Sequence, residues 1–355
     1  MSGASNVTGS AGGASDHIPT GAAGSPQPEP SAQLTLAESD MPGLYTAANQ
    51  ASMVAQRTFF RWLAVELVSL SLAALVAVFA IYNLGVFSVG PFSISGLPAP
   101  ISSVVASAHN ITIVGLVSGL FSLVALAARL IRHWRRYDRV WYESRAAAES
   151  VKSLAWRYAT GGRPFPLGGD ETAPRILFFQ RLEDTLIDVA RDLKNTVYTD
   201  AQKITPAMDA LRKASIKERQ GAYSVGRIQD QENWYTKKAK GAQASATAWH
   251  RWLVAIETVG VASSIALAFR LIPFNLQGLI AAVAGGVISW TQTKRFQDLE
   301  ASYEITASEL GSIKQKIGAQ ANEDAWATFV DESEEACSRE HRLWRATHDG
   351  DDSKQ

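Results

Sequence analysis

The sequence predicts an all-α membrane protein: two transmembrane helical hairpins, four spans in all, carrying a bundle of long cytoplasmic helices. Three observations lead there. The longest apolar runs come in two pairs, each pair divided by a turn. Basic residues gather at the same end of every run. No segment shows the repeated period-two alternation that a half-buried strand needs.

The totals conceal this pattern. The 355 residues include 34 basic and 34 acidic side chains, and 46% are hydrophobic. Zero net charge speaks against a general nucleic-acid binder, which carries a basic excess, so no direct nucleic-acid binding is expected. The single cysteine, Cys337, excludes an internal disulfide framework and a multi-cysteine zinc site.

Residues 1–40 are rich in Gly, Ser, Ala, Pro and Thr and read as a disordered tail, since they offer too little apolar surface to offset the entropy of ordering. No Lys or Arg precedes Arg57, so the tail lacks the basic n-region of a secretory signal. Asn6-Val7-Thr8 matches a glycosylation acceptor, a frequent chance match in so polar a segment.

The first span runs from Trp62 to Asn83 with one charge, Glu66. At 1.5 Å per residue it covers ~33 Å, enough for a hydrocarbon core of ~30 Å. No Asp, Glu, Lys or Arg lies between Glu66 and Arg129. The breakers Gly90-Pro91, Gly96, Pro98 and Pro100 divide that stretch, and Ile111 to Ala128 is the return span. The second hairpin runs from Trp252 to Ile272, turns at Pro273-Phe274-Asn275, and returns from Leu276 to Thr293. Its first arm carries Glu257 and Arg270. The alternative is a set of buried core helices in a soluble bundle, and the two charges make it stronger for the second hairpin.

Arg57 and Arg61 precede the first span, and Arg129, Arg132, Arg135, Arg136 and Arg139 flank the end of the second. Lys237, Lys238, Lys240 and Arg251 precede the third, and Lys294 and Arg295 follow the fourth. The positive-inside rule then makes this a multi-pass protein of the plasma membrane with both termini cytoplasmic. Trp62, Trp134, Trp252 and Trp290 fall at the cytoplasmic interface, where amphipathic rings prefer to sit.

Residues 129–250 hold 22 basic and 14 acidic side chains, and residues 294–355 hold 8 and 14. These blocks could pair within one subunit or between subunits. The plainer reading is solvated helix faces, the basic excess lying near anionic lipid. Phe179, Leu182, Leu186, Ala190 and Leu193 make one apolar helical stripe. Thr205-Pro206 is an N-cap with Pro at the first helical position. Trp326, Val330, Ser333, Cys337, His341 and Trp344 share a face of a closing helix.

A weak internal repeat is present. Arg61-Trp62-Leu63 precedes Glu66, and Arg251-Trp252-Leu253 precedes Glu257. Each return span leads into Tyr-Glu-x-x-Ala, at Tyr142 to Ala146 and Tyr303 to Ala307. The expected unit is two spans followed by a long helix. It divides the chain into a tail (1–40), a first two-span module (41–160), a helical linker region (161–220), a second module (221–345) and a disordered end (346–355).

No phosphate-binding loop and no dinucleotide fingerprint is present, so no enzyme and no cofactor are expected. Gly161-Gly162 and Gly168-Gly169, with Pro164 and Pro166, read as a linker. Cys337, His341 and Glu334 could share a helix face, but a lone set of this kind is more often packing than a metal site. Glu66 and Glu257 stand out as ionisable groups inside spans and mark a candidate polar pathway. Each lies about one turn from the cytoplasmic edge, so each could instead reach headgroup water or pair with Arg61 or Arg251. Arg270 has the reach to snorkel outward. Gly115 and Gly119 in the second span, and Gly278, Ala282 and Gly286 in the fourth, have the spacing that lets helix backbones approach closely, as do Ala281 and Gly285. They could pack hairpins within one chain or build an oligomer.

The residues resemble the bacterial SLATT family (SMODS and SLOG-associating two-TM effectors), here in tandem over roughly residues 40–345. The resemblance rests on Pro42, Leu44-Tyr45, Ala48-Asn49, Ala51-Ser52 and Gln56 before the first span, with Asn49 where the family pattern has Asp. It rests further on Tyr223, Arg227, Asp230-Gln231, Trp234-Tyr235 and Lys238-Ala239 before the third span. Phe329-Val330, Glu334, Glu340-His341 and Trp344 match the closing helix. The resemblance implies a homo-oligomeric, pore-forming or membrane-perturbing effector of a bacterial defence system. Its expected partners are the lipid bilayer and a nucleotide-signalling or sensor protein that triggers it. It brings no catalytic residues. The alternative is a non-conducting anchor or scaffold that recruits cytosolic partners through its charged helices.

Overall fold

A computed structural model describes residues 34–81, 88–89, 111–189 and 203–352. Ala190 and Leu193 of the predicted stripe, the breakers between 90 and 100, the Asn6 acceptor, and the side chains of Glu340, His341 and Trp344 lie outside the described part.

The first module opens with α1 (Gly43–Ile81), a 39-residue helix ~58 Å long. Its return helix is α2 (Ile113–Arg135), and α3 (Tyr137–Thr160) carries the chain into a helical bundle. Two extended residues on each side pair where the hairpin turns, Ser88 with Thr112 and Val89 with Ile111. The bundle continues with α4 (Thr172–Val189), α5 (Pro206–Lys213) and α6 (Ile216–Tyr223). Thr205 caps α5 as predicted, its hydroxyl accepting from the Met208 N–H.

The second module repeats the first. A π-helical turn, Ser224–Gln229, joins α6 to α7 (Asp230–Ala268), which is again 39 residues long. Its return helix is α8 (Gln277–Lys294), followed by α9 (Phe296–Lys316) and the closing helix α10 (Glu323–Asp352). In both modules the junction between the return helix and the helix that follows it is one arginine in the left-handed region, Arg136 at φ 45° and Arg295 at φ 50°. The long helix of each module is met by an aromatic cluster from the helix after that kink. Trp141 packs on Phe59 and Phe60 in the first, and Tyr303 packs on Trp234 and Tyr235 in the second.

Three helical stretches are long and apolar enough to cross a membrane: Gly43–Val78, Val114–Thr160 and Ile216–Ala268. In their most apolar parts only 22%, 11% and 6% of the residues are buried by the protein itself. The fourth expected span forms a helix, α8, but falls short of that standard. Its ends are polar, Gln277 at one and Thr291 to Lys294 at the other, which leaves a shorter apolar middle.

The core lies in the helical bundle beyond the apolar hairpins, around Trp156, Tyr158, Phe165, Phe178, Tyr223 and Trp326. The glycine-rich segment after α3 is part of it rather than a plain linker. Phe165 is fully buried, and a Cβ at Gly162 would sit 2.5 Å from Val330 Cγ1, so the loop meets α10 without room for a side chain. Packing also begins ahead of residue 41. Leu36 and Met41 are buried, Glu38–Asp40 forms a 3-10 turn, and Tyr45 donates to Glu38. At the other end α10 runs on to Asp352, through most of the expected tail.

Candidate functional site

Two groups of polar residues stand out, one along the apolar helices and one where the modules meet.

Glu66 and Glu257 have opposite surroundings. Glu66 is buried and pairs with Arg132 of α2 at 2.6 Å, across its own hairpin. The guanidinium of Arg132 also lies 5.4 Å from the Phe59 ring centroid. The partner is thus Arg132 rather than Arg61, because α1 and α2 are antiparallel and bring the two together. Glu257 is exposed on α7 and makes no ion pair among the described residues. Arg132 stands four residues before its kink arginine, and the same position before Arg295 is Thr291. The second module therefore has no counter-ion where the first has one.

Glu257 also lies deeper than Glu66. The carbonyl of Gly260 accepts from Gln277 at 2.8 Å, and a Cβ there would meet Ile280. Further along α8, Gly286 lies against Leu67 and Ser71 of α1. These contacts put Glu257 at the height of Leu70 to Ala73, the middle of the apolar run of α1, roughly two turns beyond Glu66. The two glutamates, alike in sequence, thus stand at different heights because α8 sits well outward along α1.

The small residues divide in the same way. Gly286 packs within the chain against α1, whereas a Cβ at Gly119, Gly278 or Gly285 would meet nothing within 4 Å. Gly115 is exposed beside Gly119. Arg270 is exposed at the outer turn with φ 56°.

The module junction is built by the π turn. Its wider ring brings Gly226 beneath Trp156, where a Cβ would lie 3.0 Å from the indole. It also aims Arg227 at Glu334 of α10. Arg227 Nε donates to Glu334 Oε1 at 2.9 Å and Nη2 to Oε2 at 2.8 Å, while Tyr223 donates to Oε1 at 3.0 Å. Arg227 is 2% and Glu334 0% exposed, so this two-pronged pair is wholly out of water. Trp156 and Trp326 meet the Tyr223 ring edge-on. Burial, reinforced by Glu334, holds the Tyr223 hydroxyl well above its ordinary pKa and pushes the Cys337 thiol up to about 12. Cys337 is therefore a buried neutral thiol beside a carboxylate already taken by Arg227. No group of metal-ligand type is arranged for a metal ion among the described residues.

Two further arginines, absent from the sequence reading, continue the row. Arg219 donates to the Thr160 carbonyl at 2.7 Å and pairs with Glu323. Arg212 donates to the carbonyls of Tyr158 and Phe165 and pairs with Glu171 at 2.8 Å. Arg157 and Arg163 reach Asp331 and Asp324. The basic and acidic blocks thus pair within one chain, against the plainer expectation of solvated faces. Several of the other motif residues make contacts of their own. Trp234 and Tyr235 meet Tyr303, Asn49 accepts from Arg145 at 3.3 Å, and Asp230 and Gln231 lie beside them on the first turn of α7.

Two family models match the chain in tandem. Residues 93–220 match SMODS and SLOG-associating 2TM effector domain 3, and residues 223–344 match SMODS and SLOG-associating 2TM effector domain 1. The first match begins after α1; the second takes in the Tyr223–Arg227–Glu334 cluster and both helices of the second hairpin. No curated protein and no solved structure matches the chain.

Proposed function

The chain belongs to the SLATT family, as two such domains in tandem, and from that premise we propose that it is an oligomeric multi-pass effector that permeabilises its membrane. The observation that carries this reading is the outward apolar surface of the three long helices, of which the protein buries so little. Lipid or other copies must cover it, because contiguous apolar surface on this scale is not left in water. The open glycines, Gly119, Gly278 and Gly285, offer close approach to further helices.

In this reading α8 completes a second hairpin as a fourth span, thinning the bilayer locally to suit its ~27 Å length. The basic flanks orient both hairpins with both termini cytoplasmic at the plasma membrane. The cytoplasmic bundle receives the trigger, a partner protein or nucleotide signal, and no catalytic step is required of the chain. The anchor or scaffold reading needs charged helices free for partners. It is the weaker one because Arg157, Arg163, Arg219 and Arg227 are already paired with the C-terminal block.

The test is bacterial membrane potential, read with a voltage-sensitive dye as the full-length chain is produced together with its neighbouring genes. Depolarisation ahead of growth arrest is expected. Arrest with the potential intact would remove the permeabilising role.

A further inference from the structure

Glu257 is one member of a longer pattern. Thr236, Gln243, His250 and Glu257 are all exposed on α7 and recur at every seventh residue, while the next in register, Ser264, is hydrogen-bonded to Gln277 of α8. A straight helix lets such a row drift by ~20° per step, and a left-handed supercoil of several helices takes up that drift. Over three steps the drift is only ~60°, so the row keeps to one broad side of α7, with Val254 and Val261 along its margin.

A polar row on a lipid-facing helix needs a reason, and Glu257 makes the need acute. The carboxylate stands level with the middle of the apolar run of α1 and has no cation paired to it among the described residues. A Glu side chain is too short to carry its charge to the headgroups from there, unlike the long stems of Lys and Arg. A charge facing lipid at that depth is costly. Packing the same faces directly together would bring like charges into contact, so water must lie between them. One face cannot enclose water by itself. Glu66, the other carboxylate in the apolar helices, is turned inward to Arg132, so α7 alone presents one outward.

We infer that α7 of several copies surrounds a water-filled pathway, with a ring of Glu257 carboxylates at its middle and His250 and Gln243 toward its cytoplasmic end, and that the pathway conducts cations. This rests on the pore reading above and adds the lining helix and the sign of the ion. A carboxylate ring attracts cations and repels anions in a confined lumen.

The experiment is the reversal potential of purified full-length protein in a planar bilayer under a KCl gradient. The native protein should reverse toward the potassium equilibrium potential. Glu257→Gln should keep conducting but lower the ratio of potassium to chloride permeability several-fold. Glu257→Asp should keep most of the selectivity, and Glu257→Lys should move the reversal toward chloride. Glu66→Gln should leave the ratio unchanged. Conductance whose selectivity ignores every Glu257 substitution would overturn this inference while leaving the pore. Absence of conductance in the native protein, both with and without the products of its neighbouring genes added, would overturn both.

Discussion

At the residue scale the account turns on charges taken out of water. Arg227 and Glu334 are buried together, and breaking such a pair strands one charge. Glu334→Gln or Arg227→Met should each cost about 3–5 kcal/mol, read as a lowered denaturation midpoint in detergent. The double change Arg227→Met with Glu334→Leu should recover much of that loss, because the uncompensated charge is gone. Cys337, with its thiol pushed up to about 12, should resist alkylation in the folded protein and react once it is unfolded. Tyr223, Arg227 and Glu334 were legible in the sequence as family-motif residues, but their meeting was not, since α10 lies far along the chain from the π turn. Arg212 and Arg219 were illegible altogether. In a basic block an arginine reads as solvated, and only the fold shows carbonyls of the α3 end turned toward these two. Glu66 and Glu257 looked equivalent in sequence, and the antiparallel partner of each helix made them different.

At the scale of elements the repeat is plainer in the fold than in the residues. The shared Arg-Trp-Leu and Tyr-Glu-x-x-Ala patterns hinted at it. The two 39-residue helices and the two left-handed arginine kinks make it concrete. A left-handed residue with a Cβ is held at a cost of about 1–2 kcal/mol. Arg136→Gly or Arg295→Gly should therefore be neutral or stabilising by up to about 1 kcal/mol. Arg136→Val should destabilise, since a β-branched side chain tolerates that backbone least. Thermal unfolding of the three variants in the same detergent checks the order. Span counting was less legible. Hydropathy marks a run but not where the helix around it begins, so α8 looked like a full span although Gln277 and the Thr291 to Lys294 end are polar. The glycine-rich loop after α3 misled for the opposite reason: Gly162 is there for close contact with Val330, not for freedom.

At the scale of the whole molecule, zero net charge proves to be a sum of blocks that answer one another. The basic residues of the middle of the chain hold the acidic closing helix, and the closing helix in turn holds the π turn from which α7 rises. A disturbance at the Arg227–Glu334 cluster is thereby connected, through one continuous helix from Ile216 to Ala268, to Glu257. That rod is ~80 Å long, and it gives the proposed trigger a direct mechanical route to the proposed pathway. The central claim is that this chain assembles in a bilayer and opens it to ions. Potassium efflux from liposomes reconstituted with the purified full-length protein tests that most directly. Efflux rising more steeply than linearly with the protein-to-lipid ratio is the predicted result, as expected of an assembly of copies. Liposomes that stay sealed at every ratio, with the protein inserted and folded and with or without the products of its neighbouring genes added, would contradict it.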